Sequence, residues 1–152
     1  MLFFTTPAFS QSQTLQAGVA VSEVPNNFYG TWRIFGKLES TNNYRSFKAQ
    51  SMVFWTLTRN GDTITLKNPM TMATASICVD SVEGNLITFT REVNNDDSKA
   101  LVDKVTIRLD GQKFSGLNTL RLEYYSIIDG HLLKTDTATY FIKGEKVSDN
   151  AK

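Results

Sequence analysis

Among its 152 residues the chain has a single cysteine, Cys78, and a single histidine, His131. One cysteine excludes an intramolecular disulfide. The two residues together fall short of the about four N/S ligands that a structural zinc site takes. No local motif pairs them as nucleophile and base. Lys and Arg number 16 against 15 Asp and Glu, with no run of one sign, which argues against nucleic acid or an anionic membrane surface as the main partner. No apolar run approaches the ~18 residues of a membrane-spanning helix. No glycine-rich phosphate loop is present, so no cofactor is expected. The three prolines, Pro7, Pro25 and Pro69, all lie outside the apolar runs, as ladder hydrogen bonding requires.

What remains is a series of β runs separated by turns, on a chain long enough for one domain with a sizeable core. Tyr29 to Leu38 opens the series. Met52 to Arg59 passes through Asn60-Gly61 into Thr63 to Lys67, the strongest short hairpin signal because both turn residues tolerate positive φ. Met72 to Asp80, Leu86 to Val93, Asp103 to Leu109, Lys113 to Ile128 and His131 to Lys143 complete eight runs. Gly116 marks a bulge or bend in the seventh. Nothing carries helical periodicity, except that Asn94 to Leu101 has room for one helical turn. Two solutions suit eight sequential antiparallel strands, an up-and-down barrel and a Greek-key sandwich. A sandwich needs long crossing connections, and only Glu39 to Ser51 and Asn94 to Val102 have the length. The fold expected is therefore all-β, an eight-stranded antiparallel up-and-down barrel.

Alternation assigns the faces. Trp32, Ile34, Gly36 and Leu38 share the inward side of the first run, opposite Arg33 and Phe35. Leu101, Val105, Ile107 and Leu109 share one side of the sixth, and Leu120, Leu122 and Tyr124 one side of the seventh. The fourth run offers small residues inward (Ala73, Ala75, then Ile77 and Val79). The last presents either Ala138, Tyr140 and Ile142 or Thr137, Thr139 and Phe141. An eight-stranded barrel either packs full or holds one small ligand, and the small residues favour a cavity. Its lining is expected from Phe54 or Trp55, Ile77, Phe89, Leu122, Tyr124 and Tyr140, with tyrosine hydroxyls as polar anchors. Cys78 reads as a small buried residue, or as a free thiol pairing two chains. His131, beside Asp129-Gly130, reads as exposed. Asp96-Asp97 lies in NNDDS, which lacks calcium-loop spacing and reads as a solvated turn.

The stretch VPNNFYGTW, residues 24–32, raises a sharper point. Its Gly30-x-Trp32 step, with Asn27-Phe28-Tyr29 before it, resembles the signature of the lipocalins and the wider calycin group. The resemblance implies an eight-stranded barrel whose glycine allows close chain packing, whose tryptophan plugs the closed end, and whose open mouth takes a small hydrophobic molecule. That family also stacks an arginine over the tryptophan from late in its last strand. Here the final run supplies only Lys134 and Lys143, and no C-terminal helix pattern follows.

Leu2-Phe3-Phe4 followed by Ala8-Phe9-Ser10 resembles the end of a secretory signal without its basic region. Residues 1–27 are thus expected to hold a signal remnant and a disordered segment, 28–144 the barrel, and 145–152 a disordered tail. Two functions follow. One is a secreted or periplasmic barrel binding a small hydrophobic molecule. The other is a protein-binding or inhibitor module with a filled interior, acting through outward residues such as Phe35 or Tyr125. An enzymatic reading would need Arg121, Glu123 and His131 to cluster at the mouth, and none is expected.

Overall fold

The computed structural model describes residues 20–96 and 98–149, the side chains of 94–96 aside. Two 3-10 turns, Val21–Glu23 and Asn26–Phe28, precede eight strands. These are β1 (Gly30–Thr41), β2 (Gln50–Asn60), β3 (Thr63–Lys67), β4 (Thr74–Glu83), β5 (Leu86–Asp96), β6 (Lys99–Asp110), β7 (Lys113–Tyr125) and β8 (Leu132–Ser148). Each pairs antiparallel with the next, and β8 returns to β1, so the sheet closes into an up-and-down barrel. Closure removes both sheet edges, which would otherwise template pairing with other chains.

The two ends differ. Connections at residues 61–62, 84–85 and 111–112 are two-residue turns with Gly61, Gly84 and Gly111 at positive φ. They lie at the end where β1 begins. Three of the four connections at the opposite end, 42–49, 68–73 and 126–131, are longer. Short hairpins let strands converge over a packed floor, whereas longer loops frame a mouth.

The inward set follows the expected alternation. Trp32 and Ile34 are buried on β1, Leu57 on β2, Ile87 and Phe89 on β5, Val105, Ile107 and Leu109 on β6, and Phe114 on β7. On β8 the register resolves in favour of Ala138, Tyr140 and Ile142, all buried, with Phe141 outside. Fully burying each large apolar side chain contributes about 1.5–3 kcal/mol.

Several expectations are corrected. The tail does not begin at residue 145: β8 runs to Ser148, with Glu145 and Lys146 paired to β1. Charged residues on both faces of that segment hid it from periodicity. Arg33 donates to Glu145 at 2.8 Å across the outer face, and this contact holds the Glu145 carboxyl below the usual carboxylate range. The polar stretch from Asn94 holds no helical turn in its described part, because β5 and β6 extend toward each other as far as the Asp96–Lys99 pair. Asp97 itself lies outside the described residues, as do residues 1–19, so the calcium reading of NNDDS and the signal-like segment lie outside them too. Gly116 makes no bulge. It pairs in register with Ile107, and glycine is required there because a Cβ would run into the Thr106 carbonyl. Cys78 is exposed, since Ile77 and Val79 take the inner face of β4 and leave it outside. Burial of part of the thiol, then the nearby Asp80 carboxylate, pushes its pKa up.

Candidate binding site

The floor is built first by chain geometry. Gly30 enters β1 at φ +133°, and a Cβ on it would lie 2.6 Å from the Ser148 carbonyl oxygen. No L side chain is comfortable there. Two residues on, the Trp32 indole is fully buried and donates from Nε1 to the Phe28 carbonyl at 3.0 Å. Phe114 packs against it with ring centroids 4.8 Å apart. The preceding 3-10 turn brings Phe28 beneath the barrel, edge-on to Phe89 at 5.7 Å. A cation covers the indole: Lys146 Nζ lies 5.0 Å from the Trp32 ring centroid and donates to the Asn27 carbonyl at 2.7 Å. Neither Lys134 nor Lys143 does this. Lys143 is on the exposed outer face, and Lys134 is at the mouth.

Above this floor the interior holds a cavity of about 310 Å³. Its walls are mostly apolar, with Ile34, Trp55, Leu66, Leu101, Leu120 and Ile142 among them. At about 30 Å³ per water-sized group, this volume takes roughly ten non-hydrogen atoms.

A polar cluster sits on one wall. Asp103 is only 3% exposed. Its Oδ2 accepts from Arg91 Nη2 at 2.7 Å, and its Oδ1 accepts from Asn118 Nδ2. Asn118 Nδ2 also donates to the Lys104 carbonyl at 3.3 Å. All three side chains line the cavity. The sequence signal for them was parity. Asp103 alternates with Leu101 and Val105, Arg91 with Ile87 and Phe89, and Asn118 with Phe114 and Leu120, so each polar residue interrupts an inward apolar series.

The mouth carries a second polar set. Lys99, Tyr124 and Lys134 pair side by side across β6, β7 and β8. Their ammonium groups lie 5.8 and 4.6 Å from the Tyr124 ring centroid. One rung deeper, Asp136 is buried and accepts from Asn43 Nδ2 at 3.2 Å and Ser46 Oγ at 3.1 Å. These bonds fold the 42–49 connection against the barrel, where Phe47 packs on the core. Burial pushes the Asp136 carboxyl up, but the bonds from Asn43 and Ser46, the Lys134 ammonium and the Tyr124 hydroxyl outweigh it, and its pKa is lowered. Large apolar side chains stand exposed on the mouth loops, including Met70, Met72, Ile127 and Ile128.

The expected lining residues separate. Trp55 and Tyr140 line the cavity. The Tyr140 hydroxyl donates to the Lys48 carbonyl at 2.7 Å, and burial raises its pKa. Phe89 belongs to the floor, edge-on to Trp55 at 6.1 Å. Ile77 packs half-buried against the core. Leu122 is half-buried one rung above the cavity, paired with Asp136, and Tyr124 stands at the mouth. Phe54 is corrected: it pairs with Arg33 on the outer face, because Trp55 and Leu57 take the inner one. Arg121 and Glu123 form an ion pair at 3.2 Å on the outer face of β7, while His131 contacts Asp129 within the 126–131 connection. Among the described residues no group of three or more His, Cys, Asp or Glu side chains is placed to hold a metal ion. No helix among them is long and apolar enough to cross a membrane.

Comparison with protein-family models, with curated proteins and with solved structures returns no match.

Proposed function

We propose that this protein binds a small, mainly apolar molecule inside the barrel, in the manner of a lipocalin. The observation that carries the reading is a cavity of about 310 Å³ held above a sealed floor and framed by longer loops. Its size is at the lower end of small-molecule sites, at about 300–1,000 Å³. The floor strengthens the analogy, since Gly30, Trp32 and a cation over the indole reproduce the lipocalin pattern, with Lys146 where that family places an arginine. The signal-like residues 2–10 fit an exported protein, and secretion or a periplasmic location is part of the proposal.

The test is a thermal-shift screen of the whole chain against short fatty acids, fatty alcohols and monoterpenes. A ligand at about 100 times its Kd stabilises the folded state by about 2.7 kcal/mol. A rise in Tm that the cavity-filling variant Leu120→Trp abolishes is expected. Absence of any shift across the panel, with the fold intact, would overturn the reading.

A second reading has its own observation. Met52, Phe35, Phe141 and Leu117 are exposed on the outer face, where Phe35 pairs with Met52 and Phe141 with Leu117 across neighbouring strands. Such an apolar stripe fits a protein partner. Phe35→Ser with Phe141→Ser would abolish recovery of that partner while leaving the thermal shifts intact.

A further inference from the structure

We infer that the cavity takes an uncharged, mainly apolar molecule, such as a medium-chain alcohol or amide, and that it discriminates against carboxylates. The inference rests on the proposed ligand-binding function and deepens it.

The charge state of the wall decides the point. An arginine inside an apolar barrel would ordinarily draw an anion, because a guanidinium matches a carboxylate in both charge and geometry. Here that role is already filled by the protein. Asp103 is 3% exposed and accepts from Arg91 at 2.7 Å. Asn118 satisfies its second oxygen. The pair is therefore neutral as a unit, and a ligand carboxylate placed against it would meet the Asp103 charge as well as the Arg91 one. It would also lose its hydration without a free counter-charge to replace it.

Hydrogen bonding adds no counter-charge. The Arg91 Nε is closed over within the wall, where a group in the cavity does not reach it. Asn118 spends its amide nitrogen on Asp103 and on the Lys104 carbonyl, and the Tyr140 hydroxyl is engaged by Lys48. An uncharged molecule with an apolar chain of about ten atoms fills the volume without stripping hydration from a charge.

The experiment uses three probes of one chain length, 1-decanol, decanamide and decanoate, titrated by calorimetry into the full-length protein at neutral pH. The alcohol and amide are expected to bind at least about ten-fold more tightly than the carboxylate, given a like charge at contact distance. Asp103→Asn keeps the shape, frees the Arg91 charge, and is expected to reverse the order in favour of decanoate. Should that variant fail to fold, the wild-type protein still decides: decanoate affinity is expected to rise as the pH is lowered toward the ligand's own carboxyl pKa, while 1-decanol affinity stays constant. Decanoate binding as tightly as 1-decanol to the wild type, or an order unchanged in a folded Asp103→Asn variant, would overturn the inference and leave ligand binding standing. Failure of all three probes to bind would overturn the inference together with the proposed function.

Discussion

The cation over the floor tryptophan can be tested by asking what Lys146 and Trp32 contribute jointly. Lys146 has only 3% of its side chain exposed, and its ammonium lies 5.0 Å from the indole centroid. At that degree of desolvation a cation–π contact stabilises by about 2 kcal/mol. The bond to the Asn27 carbonyl adds about 1.5–3 kcal/mol for a charged donor. Against these stands the burial of an ammonium group, which costs several kcal/mol. Lys146→Met removes all three at once, together with the 3.3 Å ion pair to the exposed Asp149, so its single effect is a small difference of large quantities. A double-mutant cycle removes that ambiguity, because the hydration cost cancels when Lys146→Met is made in the wild type and in Trp32→Leu. Trp32→Leu alone is expected to cost about 3 kcal/mol, through lost transfer energy and the cavity left behind. The coupling between the two sites is expected to be about 1–2 kcal/mol, measured by urea unfolding with circular dichroism as the probe. Additivity to within about 0.5 kcal/mol would refute the joint closure of the floor.

Gly30→Ala is expected to destabilise by about 2–3 kcal/mol, from a left-handed φ and the approach to the Ser148 carbonyl, read from the shift in the same urea midpoint. Asp103→Leu should cost about 3 kcal/mol by leaving Arg91 without its anion, tempered by the 24% of the arginine side chain that reaches solvent, whereas Arg91→Met with Asp103→Leu should lie within about 1 kcal/mol of the wild type. Asp136 has a folded pKa below its unfolded one, so its anchoring of the 42–49 connection is fully present above the ordinary carboxylate value of about 3.9 and is lost as the pH falls through the lower folded value. Acid titration of Asp136→Asn should therefore lack a step that the wild type shows below about pH 4. Cys78, exposed with a raised pKa, should react with a thiol reagent without unfolding but more slowly than free cysteine at the same pH.

The barrel was legible because several of the eight runs alternate cleanly and tight turns join most of them. Gly30 and Trp32 were legible because local rules govern them, a backbone angle in one case and a core-facing parity in the other. The end of β8 was not, since Glu145 and Lys146 make contacts on opposite faces, with Arg33 outside and Trp32 at the floor. A single strand shows periodicity only when one of its faces is uniformly apolar. The binding wall hid for a related reason. Apolar and aromatic residues were sought as lining, which found Trp55 and Tyr140, while Arg91, Asp103 and Asn118 stood at inward parity on three adjacent strands. Their meeting depends on register, with Arg91 opposite Asp103 in β5–β6, and register between strands is not written in any one of them. Cys78 reads as buried from its residue type, although the inward parity of Ile77 and Val79 leaves it outside, and of the alternatives Phe54 and Trp55 the pairing with β1 turns Trp55 inward.

The interior compartment is tested most directly by intermolecular NOE contacts between 1-decanol and the methyl groups of the wild-type protein. Contacts to Leu66, Leu101, Leu120 and Ile142, which line the cavity, are expected. Contacts confined to the outer stripe of Met52 and Leu117, or none at a saturating concentration of the alcohol, would show that the barrel is not a ligand chamber.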